Sequence, residues 1–255
     1  MKKLIIAFCV FIQVIIGMPM IKGASYGWGF KRNNTHTCPD IGIYEDEIAG
    51  TSTYYVGSLE KKEVYLTFDA GYDNGNLSLI LDILKEKAVK STFFVTGDFI
   101  RRENELLIRL SNEGHLVGNH TWSHPDITKL SFQDLTNELR KVEEAYLNST
   151  GRKMAPLFRP PSGIFNRTSL LDVQKLGYTT VFWSIAYRDW ETNKQQGKDY
   201  AINHILNNLH NGAIILLHTV SKDNVQALPK IIDAIRGQEY QIKNLDSLVN
   251  YQNFW

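Results

Sequence analysis

The chain has 255 residues, 43% of them hydrophobic and 22% charged, which suits one globular domain with a sizeable core and not a disordered chain. Its 28 Lys and Arg nearly balance 27 Asp and Glu, so the basic surface that nucleic-acid binding requires is not expected. Two cysteines, Cys9 and Cys38, exclude a disulfide scaffold.

Residues 1–24 stand apart. Lys2 and Lys3 precede an apolar run from Leu4 to Met18, the pattern of a secretory signal peptide. An uncleaved membrane anchor is the alternative, since Gly23-Ala24 is a weak cleavage match, although about 15 apolar residues are short for a bilayer span. Both readings export the protein. Removal of the segment takes Lys2, Lys3 and Lys22 with it and leaves 25 basic residues against 27 acidic ones, a net charge of −2. Cys38 then remains alone and reads as an ordinary loop thiol.

Residues 25–62 are polar and weakly patterned, and are expected to form an N-terminal extension packed across the main domain, residues 63–255. From residue 63 onward strand-like and helix-like segments alternate. The strand-like runs are 63–68, 91–95, 115–119, 156–159, 179–183, 213–218 and 240–244. Between them, 76–88, 98–113, 131–148, 167–176, 199–209 and 223–236 read as helices, several with apolar spacing near 3.6, such as Leu77, Ile80, Leu81 and Leu84. Gly114, Gly151, Gly177 and Gly237 stand where helices should stop. This alternation predicts parallel strands with right-handed crossovers. A barrel of about seven β/α units and an open doubly wound sheet both satisfy it.

The ionisable residues favour the barrel. Asp69 follows "VYLTF", His120 follows "HLVGN", Arg159 closes "PLFR", Asp189 lies shortly after "TTVFW" and His218 closes "AIILLH". In β/α barrels the C-terminal strand ends carry the active site. Singly, each has a plainer reading. Asp69 and Asp189 can cap turns, Arg159 can be structural before Pro-Pro, and His218 can be a satisfied core histidine. His120 and His124, four apart, suit two imidazoles on one metal, but the spacing alone is weak. Together they suggest a base, an orienting cation, a histidine pair and an acid-histidine pair at one mouth.

In order, "TFDAG", "HTWSH", "RPPSG", "RDW" and "LLH" resemble the five motifs of the polysaccharide deacetylases, carbohydrate esterase family 4, also called the NodB homology domain. The resemblance covers roughly 63–245. The flanking words "FFVTG", "GHLVGNHTWSHPD", "FWSIAYRDW" and "LLHTVSKDN" are similar to the branch that deacetylates N-acetylmuramic acid on the way to muramic δ-lactam in the spore cortex. The family fold is a distorted (β/α)7 barrel, α/β in class, here with the N-terminal extension. The resemblance implies Asp69 as general base, Arg159 as the cation that holds it, and His218 as general acid oriented by Asp189. It implies His120 and His124 as ligands of a divalent metal such as zinc, and Trp190 as a pocket-wall aromatic. A backbone N–H near Ser162 would face the oxyanion, and Tyr187 is among the aromatics able to stack on a sugar.

Two positions depart from the family pattern. Ala70 stands where an Asp usually ligates the metal, and a methyl cannot ligate. Asp73 either fills that gap or closes the turn with Asn74-Gly75. Ala186 stands where the fourth motif often has an earlier acid. The implied function is an exported amide hydrolase that releases acetate from muramic acid, with a peptidoglycan glycan strand as partner, in the cell wall or forespore envelope. Alternatives are a deacetylase of another glycan and a non-catalytic glycan-binding relative. No nucleic-acid partner is expected, membrane association would run through the N-terminal segment, and protein partners are not legible.

Overall fold

The structure, a computed structural model, describes residues 24–33 and 35–249. The apolar segment read as a leader lies outside the described residues, except for Ala24. In chain order the elements are β1 (Tyr26–Gly27), α1 (Tyr44–Ile48), β2 (Thr53–Tyr54), β3 (Glu63–Ala70), α2 (Asn76–Glu86), β4 (Thr92–Val95), α3 (Gly97–Arg102), α4 (Asn104–Asn112), β5 (Leu116–Asn119), α5 (Phe132–Thr150), β6 (Leu157–Phe158), β7 (Ile164–Phe165), α6 (Arg167–Lys175), β8 (Thr179–Val181), α7 (Lys198–Asn207), β9 (Ile214–His218), α8 (Lys222–Gly237) and β10 (Gln241–Lys243).

The strand β3 sets the plan. Every residue after Glu63 is buried, because both faces are covered, as befits a parallel strand with helices outside and packed side chains inside. Val64, Leu66, Phe68 and Ala70 join the apolar layer formed with α2 and α8, while Tyr65 packs with Phe94, Leu157, Val181 and Ile214. Alternation along the strand therefore puts Thr67 and Asp69 on the same face as Tyr65.

The main sheet runs β10-β3-β4-β5-β6-β8-β2, with β9 also paired to β3, and its strand pairs are all parallel. Beyond β8 the chain bridges from Ile185 to Ile215 of β9, so the sheet curls back towards its own first strand. This is the distorted (β/α)7 barrel anticipated above, and each strand-like run contains an observed strand. Two details differ. The last run, β10, pairs only with the first three residues of β3. The extension supplies β2 as a further parallel strand beside β8, a pairing too short to leave a pattern in the sequence.

The segment 98–113 is two helices, not one. Glu103 has φ −118° and ψ 42°, outside the helical region. A continuous helix would carry Glu103 on the stripe shared by Phe99, Ile100 and Leu107, all buried. Breaking at Glu103 keeps that carboxylate off the apolar face.

The extension packs against the barrel through aromatics. The Trp28 ring stacks on Phe182 with centroids 4.2 Å apart, and its Nε1 donates to the Trp183 carbonyl at 2.9 Å. Its backbone N–H donates to the Gly163 carbonyl at 2.8 Å. The extension thus grips the turn that follows Arg159.

Candidate active site

Strand register brings the ionisable residues together. In the β3/β9 pair Asp69 stands opposite His218. The chain leaving β5 places His120, whose N–H donates to the Val95 carbonyl of β4, and the chain leaving β6 places Arg159, whose N–H donates to the Asn119 carbonyl. Asp69 and His218 therefore lie within the last two residues of their strands, and His120 and Arg159 just past the ends of theirs.

Arg159 is fully buried and fully engaged. One terminal nitrogen donates to Asp69 Oδ1 at 2.8 Å, the other to Thr67 Oγ1 at 2.8 Å, and Nε donates to the Val181 carbonyl at 3.0 Å. Its guanidinium lies 4.2 Å from the centre of the Phe94 ring. Burial pushes the Asp69 carboxyl's pKa up, but Arg159 and then the His120 and His218 rings outweigh it, and the net pKa lies below the ordinary value. Asp69 is held ionised.

The His120 Nδ1 lies 2.8 Å from the Arg159 carbonyl, which makes Nδ1 the protonated nitrogen and leaves the Nε2 lone pair 3.6 Å from Asp69 Oδ2. Burial lowers its pKa to about 4, so the ring is neutral. The His124 ring meets it edge to face, centroids 4.9 Å apart. Thr121 and His124 both adopt left-handed backbone, φ 66° and 57°. Glu138 of α5 clamps the loop between them. One carboxylate oxygen accepts from the N–H groups of Trp122 and Ser123 at 2.9 and 2.8 Å, and the other from Ser123 Oγ at 2.8 Å.

The second acid-base pair is as tightly built. His218 Nδ1 lies 2.7 Å from Asp189 Oδ1, and the His218 backbone N–H donates to Asp189 Oδ2 at 2.7 Å. Burial lowers the His218 pKa, but the Asp189 carboxylate and then Asp69 together outweigh it, and the net shift is upward. Asn224, fully buried, donates to Asp189 Oδ2 at 2.7 Å and to the His218 carbonyl at 3.0 Å. Asn224 and Glu138 were missed from the sequence. Asn224 lies in the quoted word "LLHTVSKDN", six residues past His218, and that spacing was its only signal.

A cavity of about 850 Å³ opens over these groups, lined by Asp69, His120, His124, His218, Trp190 and Ser162 among others. Trp190 is half exposed, its ring centred 5.5 Å from that of His218. Ser162 is exposed with φ 54°, in the turn just past Arg159. Two expected residues do not join. Asp73 is spent on local structure: Oδ2 accepts from Gly75 N–H at 3.0 Å and Oδ1 from Leu77 N–H at 3.0 Å, closing the turn and capping α2. Tyr187 is 4% exposed, and its hydroxyl donates to Asn224 Oδ1 at 2.5 Å, so it braces the pair from behind and is closed to a sugar.

The donors fit a divalent cation through two nitrogens. A carbonyl on His120 Nδ1 leaves Nε2 the available nitrogen, as in metal-binding histidines. Among the described residues no group of three or more His, Cys, Asp or Glu is arranged to hold a metal ion. Ala70 is wholly buried in the apolar layer and offers no third donor.

The sequence pattern of the family described as polysaccharide deacetylase matches residues 57–181. The chain is 44% identical over 223 residues to peptidoglycan-N-acetylmuramic acid deacetylase PdaA of Bacillus subtilis, covering 87% of this chain and 85% of that protein. The solved structure of B. subtilis PdaA, a family 4 carbohydrate esterase, matches with a TM-score of 0.85 at 43% identity, over 88% of this chain and 96% of that one. A peptidoglycan-N-acetylglucosamine deacetylase of Bacillus cereus is 35% identical over 199 residues, covering 76% of this chain and 70% of that protein.

Proposed function

This chain belongs to the polysaccharide deacetylase family of hydrolases, and on that premise we propose that it is an exported deacetylase of N-acetylmuramic acid in peptidoglycan. The similarity to PdaA at 44% identity, against 35% to the N-acetylglucosamine enzyme, supports the choice of sugar. Its site would be the cell wall or forespore envelope, in the formation of cortex muramic δ-lactam, with the N-terminal segment directing export or holding the enzyme at the membrane.

The reaction is amide hydrolysis: water and the N-acetyl group yield acetate and a free amine. A divalent cation such as zinc, held on His120 and His124, would polarise the carbonyl and acidify water when bound. Asp69 takes the proton of the attacking water on Oδ2, since Oδ1 is committed to Arg159. The backbone at Ser162 faces the developing oxyanion. His218, held by Asp189 through Nδ1, gives its Nε2 proton to the departing nitrogen. Trp190 provides an aromatic wall for the sugar.

The observation that carries this reading is the pairing of a cation-held carboxylate with a carboxylate-held imidazole on adjacent strands. A glycan-binding module has no use for such a pair. Incubation of the protein with peptidoglycan glycan strands, with assay of free acetate and mass spectrometry of the sugars, is expected to reveal deacetylated muramic acid. Acetate lost from glucosamine alone would move the assignment to another glycan. No acetate from any strand would leave a binding protein.

A further inference from the structure

The cavity wall nearest α3 holds a charge the reaction does not use. Of the described side chains that line the cavity, Arg101 is the only lysine or arginine. It sits at the end of α3 with its guanidinium 5.9 Å from the centre of the Trp122 ring, and Trp122 belongs to the loop that presents His124. Gly97 allows that approach: a Cβ there would stand 2.2 Å from the indole. Arg101 pairs with Asp98, which also lines the cavity. Asp98 has a second partner in Arg102, whose Nε lies 3.2 Å from its other oxygen. Arg101 can therefore turn to another anion without leaving Asp98 unpaired. Its side chain is 57% exposed, so little desolvation opposes the move.

Resting on the muramyl reading above, we propose that Arg101 is the specificity-determining residue that recognises the lactyl carboxylate of muramic acid. Muramic acid differs from glucosamine by a lactyl ether on O3 that ends in a carboxylate. C3 adjoins C2, which bears the acetamide. A group that reads the lactyl carboxylate must therefore line the same cavity as Asp69 and His218, within one sugar ring of the scissile amide. A guanidinium fork on an aromatic ring is the protein group whose geometry matches a carboxylate there.

The test uses the whole protein and two muramic acid oligosaccharides that differ only in the lactyl group, free acid in one and methyl ester in the other. Acetate release gives kcat/KM for each. The wild type is expected to favour the acid by about 10- to 100-fold, the weight of a charge-assisted hydrogen bond, with most of the difference in KM. In Arg101→Gln the acid-to-ester ratio is expected to collapse towards one. Arg101→Lys should retain part of it, as a point charge without the fork. Equal wild-type rates on acid and ester, or a ratio unchanged in Arg101→Gln, would overturn the proposal while leaving muramic acid as substrate. Activity on chitooligosaccharide with none on either muramyl substrate would instead overturn the substrate assignment, and this proposal with it.

Discussion

At Asp189 both carboxylate oxygens are committed to His218, one to the ring and one to the backbone. The raised His218 pKa keeps the ring protonated above its ordinary value of 6.5. Activity should therefore decline only as pH rises through that raised pKa, while the depressed Asp69 pKa keeps the base ionised well into the acid range. In Asp189→Asn the alkaline limb of kcat/KM is expected to move to lower pH, and an unmoved limb would remove His218 as the general acid. The same shift is a stability term. Because the folded pKa is raised, the pair stabilises fully below about pH 6.5 and loses that contribution as pH climbs through the folded value. Ala70 carries the second residue-scale prediction. Ala70→Asp places a carboxylate in a fully buried apolar position, so the metal-free protein should melt at lower temperature. If position 70 can reach the cation held by His120 and His124, added Zn²⁺ should raise the Tm of this variant more than that of the wild type. An equal rise in both would mean that position 70 does not face the cation.

The loop after β5 depends on α5. The Glu138 carboxylate holds Trp122 and Ser123 and so sets where His124 stands. Glu138→Ala is expected to weaken Zn²⁺ binding by about 10-fold or more, read by metal titration, and unaltered affinity would show that the loop keeps its shape unaided. This clamp marks a limit of what the sequence could reveal. The strands were legible because a parallel strand buried on both faces is a continuous apolar run, and Asp69, Arg159 and His218 stood out as ionisable residues ending such runs. Glu138 and Asn224 lie within helices, where a polar side chain reads as a solvated face or a cap, so only the folded neighbours reveal their partners. Asp73 and Tyr187 were ambiguous in the sequence for related reasons. Asp-Asn-Gly serves a turn as well as a cation, and an aromatic near a strand end packs inward as readily as it meets a sugar. Glu103 escaped notice because it is a good helix former, and its break comes from the burial of Phe99, Ile100 and Leu107 around it.

Across the whole molecule, residues 25–62 act as a brace and not an appendage. Trp28 stacks on Phe182, bonds to the Trp183 carbonyl and is tied to Gly163, the residue after Ser162. Trp28→Ala is expected to cost about 3–5 kcal/mol of stability by urea denaturation, with a fall in kcat as the Ser162 turn loosens; a loss near zero would mean the extension is dispensable. The pairing of β3 with β9 has a consequence in time. Asp69 is made early and His218 late, with most of the barrel's chain between them, yet they share one pair of strands. During synthesis, β3 has no β9 to lie against until Ile214–His218 has emerged, near the end of the 255-residue chain. Base and acid cannot meet before then, so a half-made polypeptide carries no hydrolytic activity, and the enzyme switches on only when its final strands are made.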